Sequence, residues 1–174
     1  TGSGEDREEL ASAHYAEPTF YRQVDSGSIV LTVERAHSPG VVVDTIPTTL
    51  LPNTEYSLLL YGKAGNGGLQ LALLEDYTGR PSEGMGIVHV VNGYFRETLS
   101  ATLGPVAYAD LAYGSGSTFD EIPAGTHTVT VRNAGGGVLG TFDVSVAALD
   151  EVTVVVLGDE DLGVVFFPLY RDLD

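Results

Sequence analysis

Apolar and polar residues alternate with a period of two along most of the chain, which is the signature of strands with one buried face. The clearest run is Thr126-His127-Thr128-Val129-Thr130-Val131-Arg132, fed by the turn Pro123-Ala124-Gly125. A weaker copy, Ser28-Ile29-Val30-Leu31-Thr32-Val33-Glu34, lies 98 residues upstream, with Gly27 in the place of Gly125. Return strands are predicted over residues 41–50 and 138–146, after turns at 35–40 and 133–137. Residues 56–61 and 152–157 are near-continuous apolar runs, the pattern of strands buried on both faces. Residues 69–74 and 164–167 pair back to them around loops at 62–68 and 159–161. Residues 87–91, 98–103 and 106–109 predict three more extended segments. No stretch has helical periodicity, so the expected class is all-β.

The two halves align beyond the hairpin arms. Tyr15 matches Tyr113, Tyr21 matches Phe119, Val24 matches Ile122, Leu31 matches Val129 and Val33 matches Val131, all 98 residues apart. The offset falls to 96 at Gly62 and Gly158 and to 93 at Tyr77 and Tyr170, so small insertions fall in loops, where they are tolerated. The pattern predicts an incomplete first β-sandwich repeat over 13–80, a linker over 78–84 and a complete second repeat over 85–174. Residues 1–12 are polar and acidic and read as a flexible tail or donor segment.

One asymmetry stands out. Upstream of its Tyr-Gly element the second unit has about two strands, residues 86–110, where the first has only the acidic tail. A sandwich without its opening strands exposes an apolar groove and unpaired edges. Three arrangements would cover them: strands lying upstream in a longer precursor, strands supplied by another copy or another protein, or a smaller first sandwich packed on the second.

Composition narrows the partners. The 174 residues carry 24 acidic side chains against one lysine and seven arginines, a net charge of −16. Such a surface disfavours nucleic acid and anionic membranes. With no cysteine, disulfides, Cys-rich zinc sites and thiol nucleophiles are excluded. No apolar run approaches the roughly 20 residues of a membrane-spanning helix, and the start of the chain reads as one whose export signal is already gone.

No catalytic, cofactor or metal site is expected. His14, His37, His89 and His127 lack ligand spacing, and zinc needs three or four converging ligands. Asp159-Glu160-Asp161-Leu162-Gly163 looks like part of a calcium loop, but the remaining oxygen ligands do not follow, so an acidic hairpin tip is expected. Gly114-Ser115-Gly116-Ser117 is not a nucleophile elbow, which also needs a strand-to-helix turn. Among nine tyrosines, Tyr15, Tyr21, Tyr77, Tyr113 and Tyr170 fall at or near equivalent places and are expected in the core. Tyr94, Phe95 and Tyr108 have no counterparts and are candidates for a ligand or interface surface, as are Leu31 and Val33 in the groove.

Ala112-Tyr113-Gly114, then eight residues, then Pro123-Ala124-Gly125-Thr126 and alternating Thr and Val, together with Val152-Thr153-Val154-Val155-Val156-Leu157-Gly158, resemble a known family. It is the secreted repeat called domain of unknown function 4397, found in bacterial and archaeal envelope proteins. The likeness covers 86–174 well and 13–77 loosely. Asn92-Gly93-Tyr94-Phe95 stands where relatives have Asn or His before Ala-Ser-Pro, and Asp25-Ser26-Gly27 replaces Pro-Ala-Gly. The resemblance implies tandem immunoglobulin-like β-sandwiches and export, and no enzymatic activity or cofactor. The expected function is therefore a non-enzymatic structural or adhesive module, secreted or at the cell surface, self-associating by strand complementation or joined to another envelope protein. The alternative is a carbohydrate-binding module using Tyr94 and Tyr108 on glycans.

Overall fold

The computed structural model describes residues 8–14, 17–35, 38, 40–63 and 68–173. Among them regular structure is all strand: β1 (Gly27–Glu34), β2 (Val42–Leu50), β3 (Tyr56–Tyr61), β4 (Gln70–Glu75), β5 (Met85–Tyr94), β6 (Leu99–Leu103), β7 (Val106–Leu111), β8 (Ser115–Gly116), β9 (Asp120–Pro123), β10 (Gly125–Asn133), β11 (Val138–Val146), β12 (Asp150–Asp159) and β13 (Gly163–Asp172). The all-β expectation holds.

Two sheets face each other in the C-terminal half. One has the order β11-β10-β6-β7 and is antiparallel throughout. The other has the order β13-β12-β5, with β8 and β9 both pairing to the far edge of β5. β5 and β12 run parallel, in register from Ile87 opposite Glu151 to Tyr94 opposite Gly158. A parallel pair needs a crossover, and here the crossover is the whole opposite sheet.

The core between these sheets follows from period-two alternation. Val88 and Val90 of β5, and Val152, Val154 and Val156 of β12, face inward with Val129 and Val131 of β10, all at 0% exposure. Burying each such side chain contributes about 1.5–3 kcal/mol. Asn92 is also fully buried, and its amide is used: Nδ2 donates to the carbonyls of Glu97 and Leu111 (both 2.8 Å) and Oδ1 accepts from the Tyr94 N–H (3.0 Å). These bonds tie the end of β5 to the following turn and to the end of β7.

The hairpin β3–β4 forms a further layer. Leu59 and Leu74 pack against Val91, Val155 and Leu157 on the other face of the β5–β12 sheet. That sheet is covered on both sides, which is why β5 and β12 read as unbroken apolar runs. The hairpin β1–β2 lies alongside, β2 touching β4, and Asp44 Oδ2 accepts the Leu71 N–H at 2.8 Å.

The hairpins β1–β2 and β10–β11 share their register, whereas Tyr170 lies opposite Val152 and the residue opposite Tyr56 is Glu75, so Tyr77 and Tyr170 are not at equivalent places. Gly27 pairs with Leu50 as Gly125 pairs with Val146, and each ladder has one irregularity, between Val33 and Glu34 and between Val131 and Arg132. Gly62 and Gly158 close β3 and β12 with φ of 109° and 116°, a region that favours glycine. A Cβ there would lie 1.8 Å from the Gly68 carbonyl oxygen and 1.9 Å from that of Gly163.

Three expectations are corrected. β3 is not buried on both faces: Leu58 and Leu60 are 43% and 42% exposed, and among the described residues no strand pairs along or covers that side. Tyr21 and Tyr170 are not core residues but mostly exposed, the first in a segment without a strand and the second on edge strand β13. Tyr15 lies outside the described residues. Tyr21 and Val24 precede β1, and residues 17–25 contain no strand.

Candidate functional site

The feature with no structural explanation inside the chain is the open face of the N-terminal half. β1 pairs with β2 alone and β3 with β4 alone, so each has an unpaired edge among the described residues. The counterpart strands are interior: β10 lies between β11 and β6, and β12 between β13 and β5. Leu58 and Leu60 correspond to Val154 and Val156, which are fully buried, yet both are more than two-fifths exposed. Val24 corresponds to Ile122, and their exposures are 40% and 0%. Apolar side chains that the repeat places in a core are here at the surface, together with unpaired backbone groups. That combination suits strand addition.

A charged frame fixes the hairpin that carries this face. The Arg171 guanidinium on β13 reaches Glu151 on β12, where Nε donates to Oε2 at 3.1 Å, and also Glu55 and the Tyr77 carbonyl. Glu151 is buried, and Thr153 donates to its other oxygen at 3.0 Å. Burial pushes the Glu151 carboxyl above its ordinary value, opposed by the adjacent guanidinium. At the other end of β3, Lys63 Nζ contacts Asp159 (3.1 Å) and Asp161 (2.6 Å). Asp159 Oδ1 also accepts the N–H groups of Asp161 and Leu162 at 2.8 and 2.7 Å. The Leu162 N–H and then Lys63 hold its carboxyl below the usual range. These acids therefore shape the β12–β13 tip and anchor β3. Glu55 and Glu151, like Lys63 and Asp159, are repeat-related positions 96 residues apart, so the hairpin sits on its own counterpart.

The residues expected at a site scatter. Leu31 is 9% exposed and Val33 half-buried; both lie on β1, whose far edge has no partner among the described residues. Tyr94 and Tyr108, expected at the surface, are 4% and 7% exposed and belong to the inter-sheet core, because β5 and β7 place them on inward positions. Burial pushes both phenols up. They cannot stack on a glycan. Phe95 is half-buried, edge-on to Tyr113 with Arg96 4.8 Å above its ring. His89 is buried against Phe119, with ring centroids 4.2 Å apart, and burial lowers its pKa to about 4. His127 Nε2 lies 2.7 Å from the Pro123 carbonyl. His37 lies outside the described residues.

Leu58 and Leu60 were not singled out by sequence reasoning. The available signal was the missing pair of strands opposite a run whose counterpart needs both faces covered. No protein-family model matches the chain, and a search of curated proteins finds no match.

Proposed function

We propose that the chain is a non-enzymatic structural or adhesive module of the cell envelope, exported and assembled by strand complementation at its open N-terminal half. The observation that carries this reading is the contrast at equivalent positions: Leu58 and Leu60 are exposed where Val154 and Val156 have none of their surface exposed. A lasting apolar face with free β-edges is an aggregation liability unless a partner strand covers it. The net charge of −16 supports the reading from another side, since it keeps unassembled chains apart while the face is open. The 98-residue repeat in the sequence and its likeness to secreted repeats support the reading.

The test is the mass and shape of the protein isolated from its source, by light scattering and negative-stain microscopy over a range of concentrations. Closed oligomers, fibres or a stable complex with another envelope protein are expected. Introducing Leu58→Glu and Leu60→Glu together should release a folded 18.3 kDa chain. A native protein that is already a lone monomer at every concentration would overturn the reading.

A further inference from the structure

The joint between the two halves, where β3–β4 lies on the β13-β12-β5 sheet, is built from positions that the repeat makes equivalent. We infer that this joint is a self-matching face and that Lys63 is its specificity-determining residue, the one that makes it pair unlike halves. The face is covered within the chain, so its pairing is independent of whatever meets Leu58 and Leu60.

Gly62 and Gly158 are 96 residues apart, and the glycines whose carbonyls crowd them, Gly68 and Gly163, are 95 apart. The ladders carry the same two offsets: Ser57 pairs with Leu74 as Thr153 pairs with Leu169, and Leu59 pairs with Ala72 as Val155 pairs with Phe167. Leu59 and its equivalent Val155, and Leu74 and its equivalent Leu169, all belong to one apolar cluster. Each half thus presents the same strand face to the other, which is the pattern of an isologous interface. Apolar contacts alone do not distinguish such a face from its own copy. Charge does.

At one end of β3, Lys63 Nζ lies 3.1 Å from Asp159 and 2.6 Å from Asp161. Asp159 is the equivalent of Lys63 itself, so this position meets its own counterpart with the opposite sign. At the other end Glu55 is the equivalent of Glu151. Asp76 is the equivalent of Arg171, since its N–H donates to the Glu55 carbonyl (2.9 Å) where Arg171 lies opposite Glu151. Arg171 reaches across the joint to Glu55. The exchanged contact, Asp76 with Glu151, brings two buried carboxylates within reach of each other's charge. That end carries attraction and repulsion together, whereas Lys63 makes its own end attractive.

Like halves would clash at this end. Two first halves would set Lys63 against Lys63, and two second halves would set Asp159 and Asp161 against the same pair. Discrimination of this kind comes from like charges placed against the wrong partner. Lys63, the single lysine of the chain, supplies the difference in sign. The covered face of the β13-β12-β5 sheet is thus an interaction surface for a repeat hairpin with a cation at the place of Asp159, and not for the same face of a second copy.

The test is amide hydrogen exchange in the full chain for the wild type, Lys63→Asp, and Lys63→Asp combined with Asp161→Lys. Lys63→Asp gives both halves the same residue at this position and turns an attraction into a repulsion. Exchange over residues 56–61 and 70–75 should quicken about tenfold, with 125–146 unchanged. The double variant moves the cation to the other half, keeps the net charge of −16 and leaves Asp159 with its bonds to the tip. It should return exchange to within about twofold of the wild type. The gap between wild type and Lys63→Asp should close in about 1 M salt, where charges are screened within about 3 Å; a gap caused by lost packing would persist. If 125–146 quickens as well, rescue by the double variant still decides. Unchanged exchange in Lys63→Asp, a double variant no better than the single one, or a gap indifferent to salt would each overturn the role of Lys63.

Discussion

Truncating repeat-related residues reverses the usual relation between side-chain size and cost. Val156 is fully buried between the two sheets. Val156→Ala removes two methyl groups at about 0.8 kcal/mol each and leaves a cavity that close-packed neighbours cannot fill, for a total of about 2–3 kcal/mol. Leu60, its counterpart on β3, is 42% exposed. Leu60→Ala removes more carbon, but from a face with no opposing sheet, so no closed cavity forms. Part of the transfer free energy was never gained, and the cost should be about 1 kcal/mol or less. The larger truncation should therefore be the milder. Urea unfolding followed by far-ultraviolet circular dichroism measures both, which suits a chain without tryptophan. The slope with denaturant must stay constant for the comparison to report stability alone. A Leu60→Ala cost equal to or above that of Val156→Ala would mean that the β3 face is covered within the chain, and the open half-sandwich would be refuted.

Two further perturbations test the frame around this face. His89 is buried with a pKa near 4 against an ordinary 6.5, so the unfolded chain binds a proton that the folded chain refuses between those values. Its contribution is full above pH 6.5 and is lost as pH falls to about 4, some ~3 kcal/mol in all; urea melts of the wild type and His89→Gln at pH 7 and 4 should converge by that amount, and parallel losses would count against it. Arg171→Met leaves Glu151 buried without its cation, at a cost of about 3–5 kcal/mol. Adding Glu151→Leu should restore most of the lost melting temperature, and a double variant no better than the single one would show that the pair is not what holds β12, β13 and Glu55 together.

Much of the architecture was legible in the chain because it rests on local signals. Alternation located β10 and β11, turn residues bounded β1 and β2, and the glycines at 62 and 158 marked the ends of matched strands. What failed was inference about environment. Tyr56-Ser57-Leu58-Leu59-Leu60-Tyr61 and Val152-Thr153-Val154-Val155-Val156-Leu157 look alike, and only the second is covered on both faces. Periodicity reports which face a residue takes, and burial depends on what lies across from it. Tyr94 and Tyr108 show the same limit: the absence of a matching tyrosine in the first half carries no information about exposure, and the sheet pairing of β5 and β7 turns both into the inter-sheet core. The Arg171 cluster gave no signal, since it joins residues up to 116 positions apart.

Where β5 and β6 lie within their sheets matters more than their number. Removing an edge strand from a sandwich exposes one new edge and leaves every other strand paired. β5 and β6 are interior, and each holds together elements on both of its sides. The segment from 17 to 25 forms no strand, although 115–123, the positions 98 residues on, contain β8 and β9, which pair with β5. Residues 17–25 therefore act as a reporter: any partner that completes the sandwich must also order them, since a strand laid along β3 presents its far edge to them. A ligand that merely covered Leu58 and Leu60 would leave them unchanged. Slowed amide exchange at residues 22–25 therefore separates completion of the fold from simple apolar contact, whichever polypeptide provides the strand.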